Sequence, residues 1–260
     1  MRRSTGYIIG FALAVCLVCS VLVSSSAVSL RDRQEANKVL DRQKKVLGVA
    51  GLIQEGQAVE DAEVKRLFGE KIKAQVVKLE TGEVSTEIDA ATFDQRKARN
   101  DPSMSKAAPP NDAKVLRVPA HGLVYQVVEG SEVKLLVLPV EGKGLWSTLY
   151  GYLALSPDTN TVQGITFYEH AETPGLGGEV DNPGWKKLWP GRKLRGEGDA
   201  LKIEVAKGQA GPVESDPYRV DGLSGATLTS RGVTHLLRFW LGDQGWGPYL
   251  KKYKAQGGRG

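Results

Sequence analysis

Apolar and polar positions divide the chain into two unequal parts. From Tyr7 through Leu22 the residues YIIGFALAVCLVCSVL are almost wholly apolar, the run continues through small residues from Val23 to Leu30, and no charge lies between Arg3 and Arg31. A helix of that length crosses a bilayer, whose hydrocarbon core takes about 20 residues. A cleaved signal peptide is the competing reading, because Arg2 and Arg3 form a basic start and Ser25-Ser26-Ala27 offers small residues to a peptidase. The run exceeds the roughly 7 to 15 apolar residues of a signal peptide, which favours a retained transmembrane anchor over residues 1–30.

Beyond residue 30 the pattern becomes that of a water-facing domain. Val39, Leu40, Val46 and Leu47 are spaced for a helix leaving the membrane, and residues 55–75 continue in a helical, charged style. VVKLETGEVSTEI (76–88) reads as two short strands about Thr81-Gly82, and residues 96–114, with Pro-Pro-Asn-Asp, as an exposed connection. Strand patterns return at 123–128 (LVYQVV) and 133–140 (VKLLVLPV), parted by Glu129-Gly130-Ser131. LWSTLYGYLALS (145–156) suits a strand buried on at least one face and ends in the turn Pro157-Asp158-Thr159-Asn160, with VQGITFYEH (162–170) as the next strand. Asn182-Pro183 makes a helix start, with Asn182 as cap and Pro183 at the first helical position. LKIEVA (201–206) and YRVDGL (218–223) are further strand candidates. Val233, Leu236, Leu237, Trp240 and Leu241 follow the stripe of an amphipathic helix. Strands and helices interleave without long regular strand–helix units, so the fold class is α+β: one N-terminal transmembrane helix followed by a mixed α+β globular domain.

Charge narrows the field. Without Arg2 and Arg3, 33 basic side chains face 30 acidic ones, a net of +3 that is too balanced to suggest nucleic acid. The only cysteines, Cys16 and Cys19, sit in the apolar run, where they read as small lipid-facing or helix-facing residues. That leaves neither a disulfide framework nor a Cys-rich metal site for the globular part. His121, His170 and His235 are scattered without His-x-x-x-His spacing, which argues against a metal enzyme. Orientation is a conflict: Arg2, Arg3 and the amino terminus precede the span, while Arg31, Arg33, Lys38, Arg42, Lys44 and Lys45 follow it, so simple counting places the domain in the cytoplasm. Long domains, however, translocate largely regardless of charge.

Two segments carry candidate chemistry. In DGLSGATLTSRG (221–232) a strand ends in a Ser-Gly-Ala-Thr turn and the amphipathic helix starts at once. A helix N-terminus presents free N–H groups and partial positive charge, a natural seat for a phosphate, and Gly225 and Ala226 leave the backbone accessible. The plain alternative is that Ser224, Thr227 or Thr229 merely caps an ordinary helix. In EHAETPGLGGEV (169–180), glycines after a strand let the main chain pass close to a flat ligand, while Glu172 and Thr173 offer an acceptor and a hydroxyl to its polar edge. Alone, this segment is also consistent with a plain turn.

As a pair, HAETPGLG (170–177) and DGLSGAT (221–227) resemble the FMN-binding domain shared by the NqrC subunit of the sodium-translocating NADH:quinone reductase and its counterpart in the Rnf electron-transport complex. The resemblance spans roughly residues 140–245, and GKGLWSTLYGYLAL (142–155) is similar to the quinone reductase protein rather than the Rnf one. It implies that Thr227 carries FMN through a phosphoester made by a separate flavin transferase outside the cytoplasm. Asp221, Gly222, Ser224, Gly225 and Ala226 would then be both the transferase's recognition sequence and the bed of the phosphate. It further implies that Glu172, Thr173, Gly175 and Leu176 line the isoalloxazine ring, with Leu145, Trp146, Ser147 and Thr148 on the facing side.

The function so implied is that of a covalent-FMN electron carrier in a sodium-pumping NADH:ubiquinone oxidoreductase of the bacterial inner membrane. Its globular domain would be periplasmic, its partners the other subunits of the complex, and the isolated chain would not turn over. No catalytic acid or base is required, and nothing resembles a GxGxxG dinucleotide loop. Two rivals stay open: the FMN subunit of an Rnf-type ferredoxin:NAD complex, and a membrane-anchored non-enzymatic binding module whose segment 221–232 is only a capped helix. The expected organisation is an anchor (1–30), a connecting helix and N-terminal α+β region (31–139), an FMN-binding domain (140–245) and a C-terminal tail (246–260). The cluster Trp185, Trp189, Trp240, Trp246 and Tyr249 reads as core or as an electron path or quinone site, helical spacing favouring core. His170 and His235 read as hydrogen-bonding residues rather than ligands.

Overall fold

The computed structural model describes residues 4–54 and 57–257. The apolar run lies in α1 (Thr5–Val49), and the chain divides into one unit up to Arg42 and another from Gln43. In the first unit every side chain from Ser4 to Val39 is exposed, including Leu13, Leu17 and Leu22. The helix is long and apolar enough to cross a membrane. Such a surface suits hydrocarbon and not water.

The second unit is built on a six-stranded sheet. α2 (Asp61–Lys71) runs directly into β1 (Ile72–Lys78), so of the helical stretch expected over 55–75 only Asp61–Lys71 is helix, residues 55 and 56 lying outside the described residues. Ile72, Val76 and Val77 pair in register with Val127, Leu123 and Gly122 of the sheet, and β-branched residues favour that extended setting. The chain then turns at Gly82, whose φ is +73°, into β2 (Glu83–Ser85).

Residues 96–114, expected as an exposed connection, are largely exposed but also carry two short elements. α3 (Gln95–Asn100) is capped by the Asp94 side chain, which accepts the N–H groups of Arg96 and Lys97. β3 (Ser105–Ala107) pairs with β4 (Arg117–Pro119), and Ala98 and Ala113 are buried. Buried alanines carry too little apolar signal to stand out among the prolines and charges around them.

β5 (His121–Glu129), β6 (Glu132–Lys143), β7 (Thr148–Leu155) and β8 (Val162–Glu169) follow as antiparallel neighbours, completing the order β2-β1-β5-β6-β7-β8. The expected boundary between residues 139 and 140 falls inside β6. α4 (Pro183–Lys186) is a single turn that Asn182 caps, its side chain accepting from the N–H of Gly184 at 2.8 Å. The strand candidates at 201–206 and 218–223 shrink to β9 (Glu204–Val205) and β10 (Arg219–Val220), a short parallel pair. α5 (Thr227–Trp240) lays Val233, Leu236, Leu237 and Trp240 into a core with Leu136, Leu138, Val140, Leu149 and Leu153 of the sheet.

Two glycines bring α5 close to β6. A Cβ at Gly142 would stand 2.5 Å from the Cβ of Leu236, and one at Gly232 would stand 2.4 Å from the carbonyl oxygen of Lys143. The indole of Trp240 donates to the carbonyl of Glu141 at 2.7 Å and that of Trp246 to the carbonyl of Pro139 at 2.8 Å. The five-member aromatic cluster is therefore buried core. Segment 246–260, expected as a tail, holds α6 (Gly247–Ala255), with Tyr249, Leu250 and Tyr253 buried. Pro248 in the first turn and the spacing Trp246, Tyr249, Leu250, Tyr253 make it a short amphipathic helix.

Candidate functional site

Three segments converge at the start of α5: loop 144–147 between β6 and β7, loop 170–178 after β8, and residues 221–229. Thr227 is the first helical residue, Ala226 precedes it, and no side chain caps the helix. The N–H groups of Thr227, Leu228 and Thr229 have no acceptor within the helix, as at any helix start. Ser224 and Thr227 are exposed, while Thr229 is buried with its hydroxyl turned elsewhere. The plain reading of a hydroxyl-capped helix therefore does not describe α5.

The turn before α5 is tied down from its inner side. One carboxylate oxygen of Asp221 accepts the N–H of Ala210 at 2.8 Å, and its carbonyl accepts the indole N–H of Trp185 at 2.8 Å. Gly222 is required by close approach, since a Cβ there would stand 2.4 Å from the carbonyl oxygen of Ala206. The N–H of Leu223 donates to Ser230 Oγ at 3.0 Å. Gly225 has φ +69°, and a Cβ on it would lie 2.9 Å from Leu176 Cδ2, which places loop 170–178 against this turn. Asp221 thus braces the neighbouring 206–211 segment, and Ser224, Gly225, Thr227 and Leu228 are left facing outward.

Glu172 joins the three segments. It is 5% exposed, and its Oε1 accepts the N–H of Trp146 (2.9 Å), the N–H of Ser147 (3.0 Å) and the Ser147 hydroxyl (3.3 Å). Its Oε2 accepts the N–H of Leu145 (3.1 Å) and the Thr229 hydroxyl (2.6 Å). A carboxylate has about four lone-pair sites, so these donors saturate it. The acceptor that the sequence offers to a ligand's edge is spent inside the protein. Burial pushes the Glu172 carboxyl up, but the hydrogen bonds from Thr229, Ser147, Trp146 and Leu145 outweigh it and hold the group below the ordinary value.

The remaining polar groups finish the loops. Ser147 Oγ also accepts the N–H of Ala171 at 2.8 Å, and His170 Nδ1 accepts the N–H of Glu172 at 3.2 Å. That leaves the proton on His170 Nε2, which donates to Asp181 at 2.8 Å, an ordinary hydrogen-bonding role. The carbonyl of Thr173 accepts from Leu176 (3.1 Å) and Gly178 (2.9 Å) around Gly175 with φ +76°, leaving Thr173 and Leu176 exposed. Thr148 opens β7 opposite Lys143.

Around Thr227 the three segments display apolar side chains in the open: Trp146 is 67% exposed, Leu228 55%, Leu176 44% and Leu145 42%. Large apolar groups gathered at polar turns mark a surface made to be covered. Thr229, which the sequence offered only as a cap, and Ser230, which it left unassigned, do structural work here on the inward side of the helix's first turns. Leu228 and the exposed Arg231, one turn beyond Thr227, went unassigned there as well.

Residues 144–242 match the FMN-binding domain family, a stretch that begins just after β6 and contains all three segments. The NqrC subunit of the Na(+)-translocating NADH-quinone reductase from Vibrio vulnificus (strain YJ016) is 47% identical over 259 residues, 99% of this chain and 97% of that protein. The chain belongs to the NqrC family of Na(+)-translocating NADH-quinone reductase subunits. NqrC of Pseudomonas aeruginosa is 46% identical over 252 residues, 96% of each chain. Within the NqrC family the fold is also matched: the crystal structure of Shewanella oneidensis NqrC aligns with a TM-score of 0.77 at 35% identity, covering 85% of this chain and 99% of that one. The crystal structure of the same subunit from Parabacteroides distasonis aligns with a TM-score of 0.66 at 28% identity, covering 85% and 96%.

Proposed function

We propose that the chain is the FMN-bearing electron carrier of a Na(+)-translocating NADH-quinone reductase, with the flavin joined to Thr227 by a phosphoester. The observation that carries this reading is the uncapped start of α5, where an exposed Thr227 stands among exposed apolar side chains. The residues fit the group. Free N–H groups at Thr227, Leu228 and Thr229, with the guanidinium of Arg231 one turn on, suit a phosphoester anion. Leu145, Trp146, Leu176 and Leu228 suit the faces of an aromatic ring, and the Thr173 hydroxyl suits its polar edge. When bound, FMN supplies reversible electron transfer, and the protein contributes position and electrostatics.

Covalent attachment makes physical sense at an open surface. A tether turns retention of the cofactor into an intramolecular matter, so the ring stays without deep burial and remains accessible to partner redox centres. The partners are the other subunits of the complex, with a flavin transferase that reads the 221–227 turn for maturation. α1 anchors the chain in the bacterial inner membrane, with the domain on the periplasmic side. Protease added outside intact spheroplasts should digest the domain, whereas protection would put it in the cytoplasm, as the flanking charges suggest. The relatives described above are quinone reductase subunits, which favours that complex over an Rnf-type one.

Mass spectrometry tests the attachment. The chain coexpressed with a flavin transferase should gain the mass of one FMN less one water, on the peptide that contains Thr227. The increment should vanish in Thr227→Ala. Unmodified wild-type chain under those conditions would leave the non-enzymatic binding module as the better reading.

A further inference from the structure

Loop 144–147 owes its shape to an anion supplied from elsewhere in the chain. Within the loop, the N–H of Gly144 donates to the carbonyl of Ser147 at 2.8 Å. The next three N–H groups, of Leu145, Trp146 and Ser147, all point at the Glu172 carboxylate. Successive N–H groups converging in this way form a nest for negative charge. The other side of the same carboxylate takes the hydroxyl of Thr229, two residues past the candidate attachment point.

Room for this arrangement is made by glycines. A Cβ at Gly144 would stand 2.7 Å from Glu172 Oε1, and one at Gly177 would stand 2.6 Å from both Glu172 Oε2 and Thr229 Oγ1. With its backbone pulled inward onto Glu172, the loop leaves Leu145 and Trp146 facing out.

We infer that Glu172 is a positioning residue: its carboxylate clamps loop 144–147 to the first turn of α5, and so sets the surface offered to the flavin ring relative to Thr227. The clamp stands on the chain's own geometry, and its consequence for the ring rests on the flavin reading above. Glu172 acts through Leu145, Trp146 and Ser147 rather than by offering its own oxygens to the ring. A glutamine cannot replace it. With the amide oxygen turned to Trp146 and Ser147, the NH2 meets the Thr229 hydroxyl, which can rotate to accept, and the N–H of Leu145, which cannot. One donor then faces another at a part-buried contact.

The test uses the full chain in detergent, with and without flavin, in wild type, Glu172→Gln, Thr229→Val and Thr229→Ser. In flavin-free protein, amide hydrogen exchange at Leu145, Trp146 and Ser147 should accelerate roughly tenfold or more in Glu172→Gln, the scale of one lost charge-assisted hydrogen bond, while β6 and β7 keep their protection. In flavin-loaded protein, the visible circular dichroism of the flavin should weaken and its midpoint potential should move in Glu172→Gln and Thr229→Val. Thr229→Ser, which keeps the donor, should restore both signals. If Glu172→Gln fails to fold, the Thr229 pair carries the test.

Unchanged exchange at 145–147, or acceleration spread equally over β6 and β7, would overturn the clamp. An unmoved flavin spectrum and potential would overturn its consequence for the ring. Wild-type chain that takes up no flavin would sink the flavin reading, while exchange in the flavin-free protein would still decide the clamp.

Discussion

Thr227 and Thr229, two positions apart on the first turn of α5, face opposite ways: Thr227 is exposed, whereas the Thr229 hydroxyl is buried and donates to Glu172 at 2.6 Å. A modifying enzyme that needs an accessible hydroxyl therefore meets one threonine and not the other. Thr227→Ser should keep the covalent flavin and Thr227→Ala should lose it, with no mass increment moving to Thr229. Thr229→Ala should lower stability by about 1.5 to 3 kcal/mol, the usual range for a hydrogen bond to a charged group. Peptide mass spectrometry checks the first outcome, and denaturant midpoints check the second.

Glycines with different surroundings should respond in opposite directions to the same substitution. Gly232→Ala pushes a Cβ to 2.4 Å from the carbonyl oxygen of Lys143, so α5 must lift from β6, at a cost of about 1 to 3 kcal/mol. Gly69 lies in α2 with nothing within 4 Å of its would-be Cβ. Gly69→Ala should therefore stabilise by roughly 0.5 to 1 kcal/mol through helix propensity and a less disordered unfolded chain. Thermal or denaturant melts of the two variants should move apart from wild type in opposite senses.

How much of this was legible in the sequence depends on the range of the interaction. The apolar strand runs at 133–140 and 162–170, the Asn182-Pro183 start and the stripe from Val233 to Leu241 are local patterns, and the structure realises each. α3 and α6 were hidden because short helices bury few side chains, and Trp246, Tyr249, Leu250 and Tyr253 sit among glycines and lysines. β9 and β10 shrink because apolar residues such as Ile203 are buried by packing without extending the ladder. The two site motifs were readable through family resemblance. The Glu172 clamp was not, since nothing local to residue 172 says that donors from 145–147 and 229 will converge on it.

Acid should loosen the site through Glu172. Its folded-state pKa lies below its unfolded value, so the unfolded chain binds more protons as pH falls between the two. The stabilisation is present above the unfolded value of about 4.3 and is lost as pH drops through the lower folded value. Buried Glu141 works the other way: burial raises its pKa despite the ion pair with Arg99, so it gains a proton more readily when folded. The difference between wild type and Glu172→Gln, rather than the wild-type curve alone, isolates the effect. Stability measured from pH 6 down to about 3 should fall more steeply in wild type than in the variant. Parallel curves would mean that Glu172 does not sense the transition.

The indole of Trp246 offers a sharp measure of whether the chain end belongs to the fold. It is fully buried, its N–H donates to the carbonyl of Pro139 at 2.8 Å, and Gly122 of β5 admits it so closely that a Cβ there would stand 2.4 Å from its ring. Trp246→Ala removes a large core side chain and should cost about 3 to 5 kcal/mol. Trp246→Phe keeps much of the packing but leaves the Pro139 carbonyl without that donor, so part of the loss should remain, on the order of 1 kcal/mol from the hydrogen bond. Denaturant unfolding in detergent, followed by far-ultraviolet circular dichroism, should therefore rank wild type above Phe and Phe above Ala. A loose tail after Gly245 would leave all three midpoints together, because a side chain that buries no surface in the folded state has no packing to lose.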